Sequence, residues 1–137
     1  MIVSLHVASG AAAGALVSSR GRAALLGAAL HGAGDAVPHH DIPSQRFELV
    51  SGLALIGLVA WRRGIASTAV VGAIAASAPD LEHILRLPRP GGRKLFPSHR
   101  VQGWHREGGL PAWTQLLAAG TLVGWVLSPS KARVSSI

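Results

Sequence analysis

Residues 64–83 read GIASTAVVGAIAASAPDLEH. From Gly64 to Pro79 the chain carries no formal charge and is built mainly from Ala, Gly, Ile and Val; Asp80, Glu82 and His83 then arrive together. An apolar, small-residue helix that ends in metal-ligating side chains is the pattern from which the rest of the chain can be read. Met1–Ser19, Ala23–Gly34, Leu49–Trp61 and Gly108–Ser130 are also free of formal charge. Helices faced with Ala and Gly pack closely in lipid, whereas a core that excludes water usually relies on larger side chains. A helix that crosses the hydrocarbon needs about 20 residues. The first and last runs reach that length, and the middle three require snorkelling Arg or local thinning. The expected fold is therefore all-α: a polytopic membrane helical bundle of about five helices, forming one domain over residues 1–130, with a flexible tail over 131–137.

The breaks between runs carry recognisable signals. Ser18–Arg22 reads as a turn, Pro38 and Pro43 stop the second helix, and Gly64 follows Arg62 and Arg63 at the end of the third. Pro79 begins a turn or kinks the fourth helix, residues 87–97 (LPRPGGRKLFP) form a loop, and Pro111 suits the first turn of the last helix. Trp61, Trp113 and Trp125 fit interfacial anchoring.

The 13 Lys and Arg give a formal charge of +7. They punctuate the apolar runs instead of forming a stripe, which argues for headgroup contact and against nucleic acid as a partner. There is no Cys, so any metal must be held by imidazole and carboxylate.

If every run crosses, the 7 His and 6 Asp and Glu all fall at one end of the bundle. The His31 and Asp35 side chains, four apart, share a helix face, and Pro38-His39-His40-Asp41 turns the chain beside them. Asp80 and His83, three apart, share another face, although Asp80 also suits a helix cap. Glu82 is then a general base or a group that orients a ligand. His99 and His105 lie six apart in a loop, with Arg100 placed to contact an anion. His6 stands alone in an apolar helix. The candidate metal ligands are His31, Asp35, Asp80, His83, His99 and His105, with His6, His39 and His40 as additional ones. Such donors suit Zn or Mn, as one or two divalent ions.

Four elements, LHVASGAAAG, HGAGDAVPHHD, GAIAASAPDLEH and SHRVQGWH, resemble the bacterial membrane-bound metal-dependent hydrolase family related to the YdjM inner-membrane proteins. The resemblance implies a multi-pass protein of the cell inner membrane that hydrolyses a small-molecule or lipid-like substrate, such as a phosphoester, beside membrane lipid. This chain departs from the usual His-Arg-Gly-x-Thr-His-Ser loop by one extra residue between His99 and His105, and by Arg106 in place of Ser. The competing readings are a non-enzymatic metal-binding membrane subunit and a soluble basic helical domain that binds nucleic acid.

Overall fold

Three serines begin three of the main helices in the computed structural model, which describes residues 1–85 and 88–129. The hydroxyl oxygens of Ser19, Ser44 and Ser67 accept from the backbone N–H groups of Arg22, Phe47 and Val70, satisfying donors that the first helical turn leaves free. The chain forms α1 (Val3–Ala15), α2 (Arg20–Ala36), α3 (Gln45–Arg63), α4 (Thr68–Ser77), the short α5 (Leu81–Ile84) and α6 (Pro97–Arg100), and α7 (Ala112–Leu127). Pro79 sits in a 3-10 turn, Ala78–Asp80, that ends the α4 run, and α2 stops at Ala36 before Pro38. Gly64, at φ 87°, ends α3 in a conformation that L side chains rarely adopt.

The five longer helices alternate in direction. Arg20 Nε donates to Ala66 O at 2.8 Å, and Arg63 Nε donates to Val126 O at 2.6 Å. These bonds gather the starts of α2 and α4 with the ends of α3 and α7 at one end of the bundle. The start of α1, the ends of α2 and α4, and the start of α7 therefore share the opposite end.

Small residues set the spacing in the centre. A Cβ on Gly10 would lie 2.3 Å from Gly72 O, one on Gly72 would lie 2.2 Å from Gly10 O, and one on Gly27 would lie 2.4 Å from Gly72 O. Thus α1, α2 and α4 touch backbone to backbone around Gly72. Val7, Ala11, Val59, Val70, Ala73 and Val126 fill the adjoining core, and Ala8, Ala119 and Val123 continue it under α7.

The membrane expectation is corrected by the helices themselves: among the described residues, none is long and apolar enough to cross a membrane. At 1.5 Å per residue, the 13 residues of α1, 10 of α4 and 16 of α7 fall short of a hydrocarbon layer about 30 Å thick. The longer α2 and α3 carry Arg20, Arg22 and Asp35, and Arg46, Glu48, Arg62 and Arg63. The uncharged runs overstated helix length because each includes its turn: Leu16–Ser19 lies outside α1, and Gly108–Pro111 outside α7. The polytopic architecture, the multi-pass inner-membrane location, the membrane-lipid partner and the lipid-like substrate rested on those spans and fall with them. The fold is an all-α bundle. Trp61, Trp113 and Trp125 are exposed, and the expected tail over 131–137 lies outside the described residues.

Candidate metal centre

His31 and Asp35 occupy the last turns of α2, Asp80 ends the 3-10 turn after α4, and His99 lies on α6. The packing of α2 on α4 brings these elements together. His31 Nδ1–H donates to Ala76 O at 2.8 Å, and His99 Nδ1–H donates to Glu82 Oε1 at 2.6 Å. Each ring therefore spends its outer N–H on a fixed acceptor, and each neutral ring presents a lone pair on Nε2.

Those lone pairs converge. His31 Nε2 is 3.2 Å from His99 Nε2 and 3.0 Å from Asp35 Oδ2, and His99 Nε2 is 3.3 Å from Asp35 Oδ2. The Asp80 carboxylate flanks the triangle, its Oδ1 3.8 Å from His99 Nε2. Bonds of 2.0–2.1 Å from a tetrahedral zinc place neighbouring ligand atoms roughly 3.3 Å apart, so the triangle matches one face of such a tetrahedron. Asp80 does not cap α5, and its Oδ2 is buried without a hydrogen-bond partner.

The electrostatics call for positive charge. Asp35 is 1 % exposed and Glu82 4 %. Among the described residues, every ion pair of an Asp or Glu is made with a His or with the Met1 amino group, never with Arg or Lys. Burial pushes the Asp35 carboxyl up, but its contacts with the imidazoles of His31, His6 and His99 and the hydrogen bond from Ser98 outweigh it and hold Asp35 well below the usual carboxylate range. Burial raises Asp80 to about 6 and lowers His6 to about 4. Burial also disfavours charge on His99, yet Asp35 and Glu82 raise its pKa overall.

Three groups of His and Asp are geometrically able to hold a divalent ion: His6, His31 and Asp35; His31, Asp80 and His99; and His39, Asp41 and His105. The first two share His31 and merge around Asp35. His6 stacks on His31 with ring centroids 4.1 Å apart and sets Nε2 3.2 Å from Asp35 Oδ1, while its Nδ1 lacks a partner. In the third group, His39 Nδ1–H donates to Val37 O at 2.6 Å, leaving Nε2 3.1 Å from Asp41 Oδ1. His105 Nε2 lies 3.2 Å from Asp41 Oδ2, and its Nδ1 lies 3.9 Å from Asp35 Oδ1. The Met1 amino nitrogen lies among these atoms, 3.4 Å from Asp35 Oδ1 and 3.7 Å from Asp41 Oδ1, against His39 Nε2.

The remaining candidates stand further out. His83 packs edge-on against His99, with ring centroids 4.4 Å apart, and Lys94 Nζ donates to its Nδ1 at 3.3 Å. His40 is exposed. Glu82 is engaged through both oxygens, since Oε2 accepts from Leu95 N–H at 2.6 Å. Arg100 is exposed at the end of α6 and does not line the cavity beside the centre. That cavity, about 280 Å³, is bordered by Asp80, His83 and His99 on one side and by Asp41 and His105 on another, with Ile2, Val3, Ile42 and Pro43 as apolar wall.

Several groups that hold the site do not stand out from residue spacing. Ser98 Oγ donates to Asp35 Oδ2 at 2.6 Å. Trp104 Nε1–H donates to Gly32 O at 2.8 Å and pins the 101–111 loop on α2. The buried Gln115 accepts from Ile2 N–H at 3.1 Å and donates to His40 O at 2.8 Å, tying α7 to both segments that carry ligands. Glu48 accepts from Val3 N–H at 2.7 Å, and its other oxygen is buried without a partner beside the cavity. Gln115 gave the one available signal, a lone amide in an apolar run.

Comparison with protein-family models, curated proteins and solved structures gives no significant match. The resemblance to the membrane-bound hydrolase family is corrected accordingly: no family model matches, and no described helix is long and apolar enough to span a membrane. What stands is an all-α domain with His and Asp groups able to hold a divalent ion.

Proposed function

We propose that this protein binds a divalent transition-metal ion through His31 Nε2, His99 Nε2, Asp35 and Asp80. The observation that carries the reading is the triangle of 3.0, 3.2 and 3.3 Å among two imidazole nitrogens and a carboxylate oxygen. Each imidazole is oriented from behind, by Ala76 O and by Glu82, an arrangement that fixes tautomer and raises ligand basicity. A donor set of two nitrogens and two oxygens at this spacing favours Zn, with Mn as the alternative. Ser98 steadies Asp35, and Glu82 acts by orienting His99.

The test is equilibrium dialysis of the purified protein against Zn²⁺ or Mn²⁺, followed by metal analysis. The wild type retains stoichiometric metal, and His31→Ala and Asp80→Ala retain it at least tenfold more weakly. Wild-type protein that retains no ion overturns the reading.

A catalytic use of the ion is a second reading, favoured by the cavity that reaches both His99 and Asp80. A bound divalent ion supplies Lewis acidity and a lowered pKa for water, the chemistry of metal-dependent hydrolysis. The chain's own part would be to present the ligands and to wall the reacting space with Ile2, Val3, Ile42 and Pro43. Turnover of a generic phosphoester that appears with Zn²⁺ and is lost in His99→Ala supports this use. Full metal loading without turnover leaves metal binding as the function.

A further inference from the structure

Asp35 faces two ways. Its Oδ2 belongs to the His31–His99 triangle, while its Oδ1 points to a different set of atoms, 3.2 Å from His6 Nε2 and 3.9 Å from His105 Nδ1. Beyond His105 lie Asp41 and His39, so the third His and Asp group borders the other oxygen of the same carboxylate. We infer that the protein holds a second divalent cation among His39, Asp41 and His105, joined to the first through the bridging carboxylate of Asp35. This rests on the proposed first site and extends it to a two-ion centre.

The second set is built, not incidental. His39 is 2 % exposed, and its outer N–H is fixed on Val37 O, as the outer N–H groups of His31 and His99 are fixed on theirs. The His105 loop is laid on the 35–40 segment by backbone bonds: His39 N–H to Arg106 O at 3.1 Å, Gly108 N–H to His39 O at 3.0 Å and Leu110 N–H to Pro38 O at 3.0 Å. Gln115 holds His40 O and Leu110 O from below. Asp41 is positioned to serve twice, with Oδ1 toward His39 and Oδ2 toward His105. No Lys or Arg pairs with Asp41 or lines the cavity among the described residues; the cationic group that faces Asp41 besides the imidazoles is the Met1 amino group, 3.7 Å from Oδ1 and against His39 Nε2, where the second ion would have to displace it. A carboxylate-bridged pair of ions a few ångströms apart, both open to one cavity, is the arrangement that clamps two oxygens of a small ligand.

The experiment combines metal stoichiometry with electron paramagnetic resonance of Mn²⁺-loaded protein. The wild type is expected to bind two ions per chain and to show an exchange-coupled spectrum. Asp41→Asn and His105→Asn change exposed side chains, so the fold persists, checked by circular dichroism. Each is expected to bind one ion and to show an uncoupled spectrum. One ion in the wild type overturns this inference and leaves the His31 site standing, whereas no ion overturns both. Two ions that survive both substitutions, or a wild-type spectrum without coupling, also overturn it.

Discussion

The two ends of the α1–α2–α4 packing are made by opposite means. Around Gly72 the three helices meet through backbone and alanine methyls, with no room for a methyl group on Gly10, Gly27 or Gly72. One to two turns further on, the same helices present His6, His31 and Asp35, with Asp80 just past the end of α4, and the contacts become polar, directional and short of positive charge. The difference assigns each end a task. Close packing fixes helix separation, and that separation decides whether His31 and Asp80, carried on different helices, can share an ion. A site of this kind needs rigid elements behind it, and here the Gly72 contact supplies them.

The largest expected effect breaks the packed end. In Gly72→Val the new Cβ meets Gly10 O, a backbone atom that moves only with its helix. The cost is about 3 kcal/mol or more. Thermal melting is expected about 10 °C lower, with metal affinity reduced although no ligand has changed. Unaltered melting would show that the helices are not held at the distance described.

Next in size is a substitution at the ligand end with opposite consequences in two conditions. Asp80 is a buried carboxylate with one oxygen unpartnered and its pKa raised by burial. In chelator, Asp80→Asn is expected to stabilise the protein by about 1 kcal/mol, because it removes an uncompensated charge. With Zn²⁺ present it is expected to destabilise it, because the ligand is lost and mass action no longer favours the folded state. Denaturant unfolding with and without metal reads the reversal. The same sign in both conditions would separate Asp80 from the metal.

Glu82→Gln is a smaller change. It keeps the shape of the His99 contact and removes the charge behind the ring. Zinc affinity is expected to fall about tenfold, and calorimetric titration measures it. The smallest expected effect lies on α7, where a Cβ on Gly120 meets nothing within 4 Å. Gly120→Ala is expected to raise stability by up to about 1 kcal/mol through helix propensity alone, in contrast to Gly72→Val.

The residues that the sequence made legible are those whose chemistry is local. Ala- and Gly-rich runs declared helices, Pro38, Gly64 and Pro79 marked their ends, and the i, i+4 spacing of His31 and Asp35 placed both on one face. Charge-free runs were a poor guide to helix length because Leu16–Ser19 and Gly108–Pro111 are apolar enough to pass for helix while forming turns and loops. Spacing also could not rank His39 above His40, since their adjacent side chains diverge and only the docked 101–111 loop buries one of them. The double orientation of Asp35 depends on contacts with α1, α6 and the His105 loop, which lie far from it along the chain.

The most direct measurement is anomalous diffraction from crystals grown with Zn²⁺. A peak is expected at bonding distance, about 2.0–2.2 Å, from His31 Nε2, His99 Nε2 and Asp35 Oδ2. Zinc bound elsewhere on the surface, with these three atoms still in mutual contact and no peak between them, would contradict it.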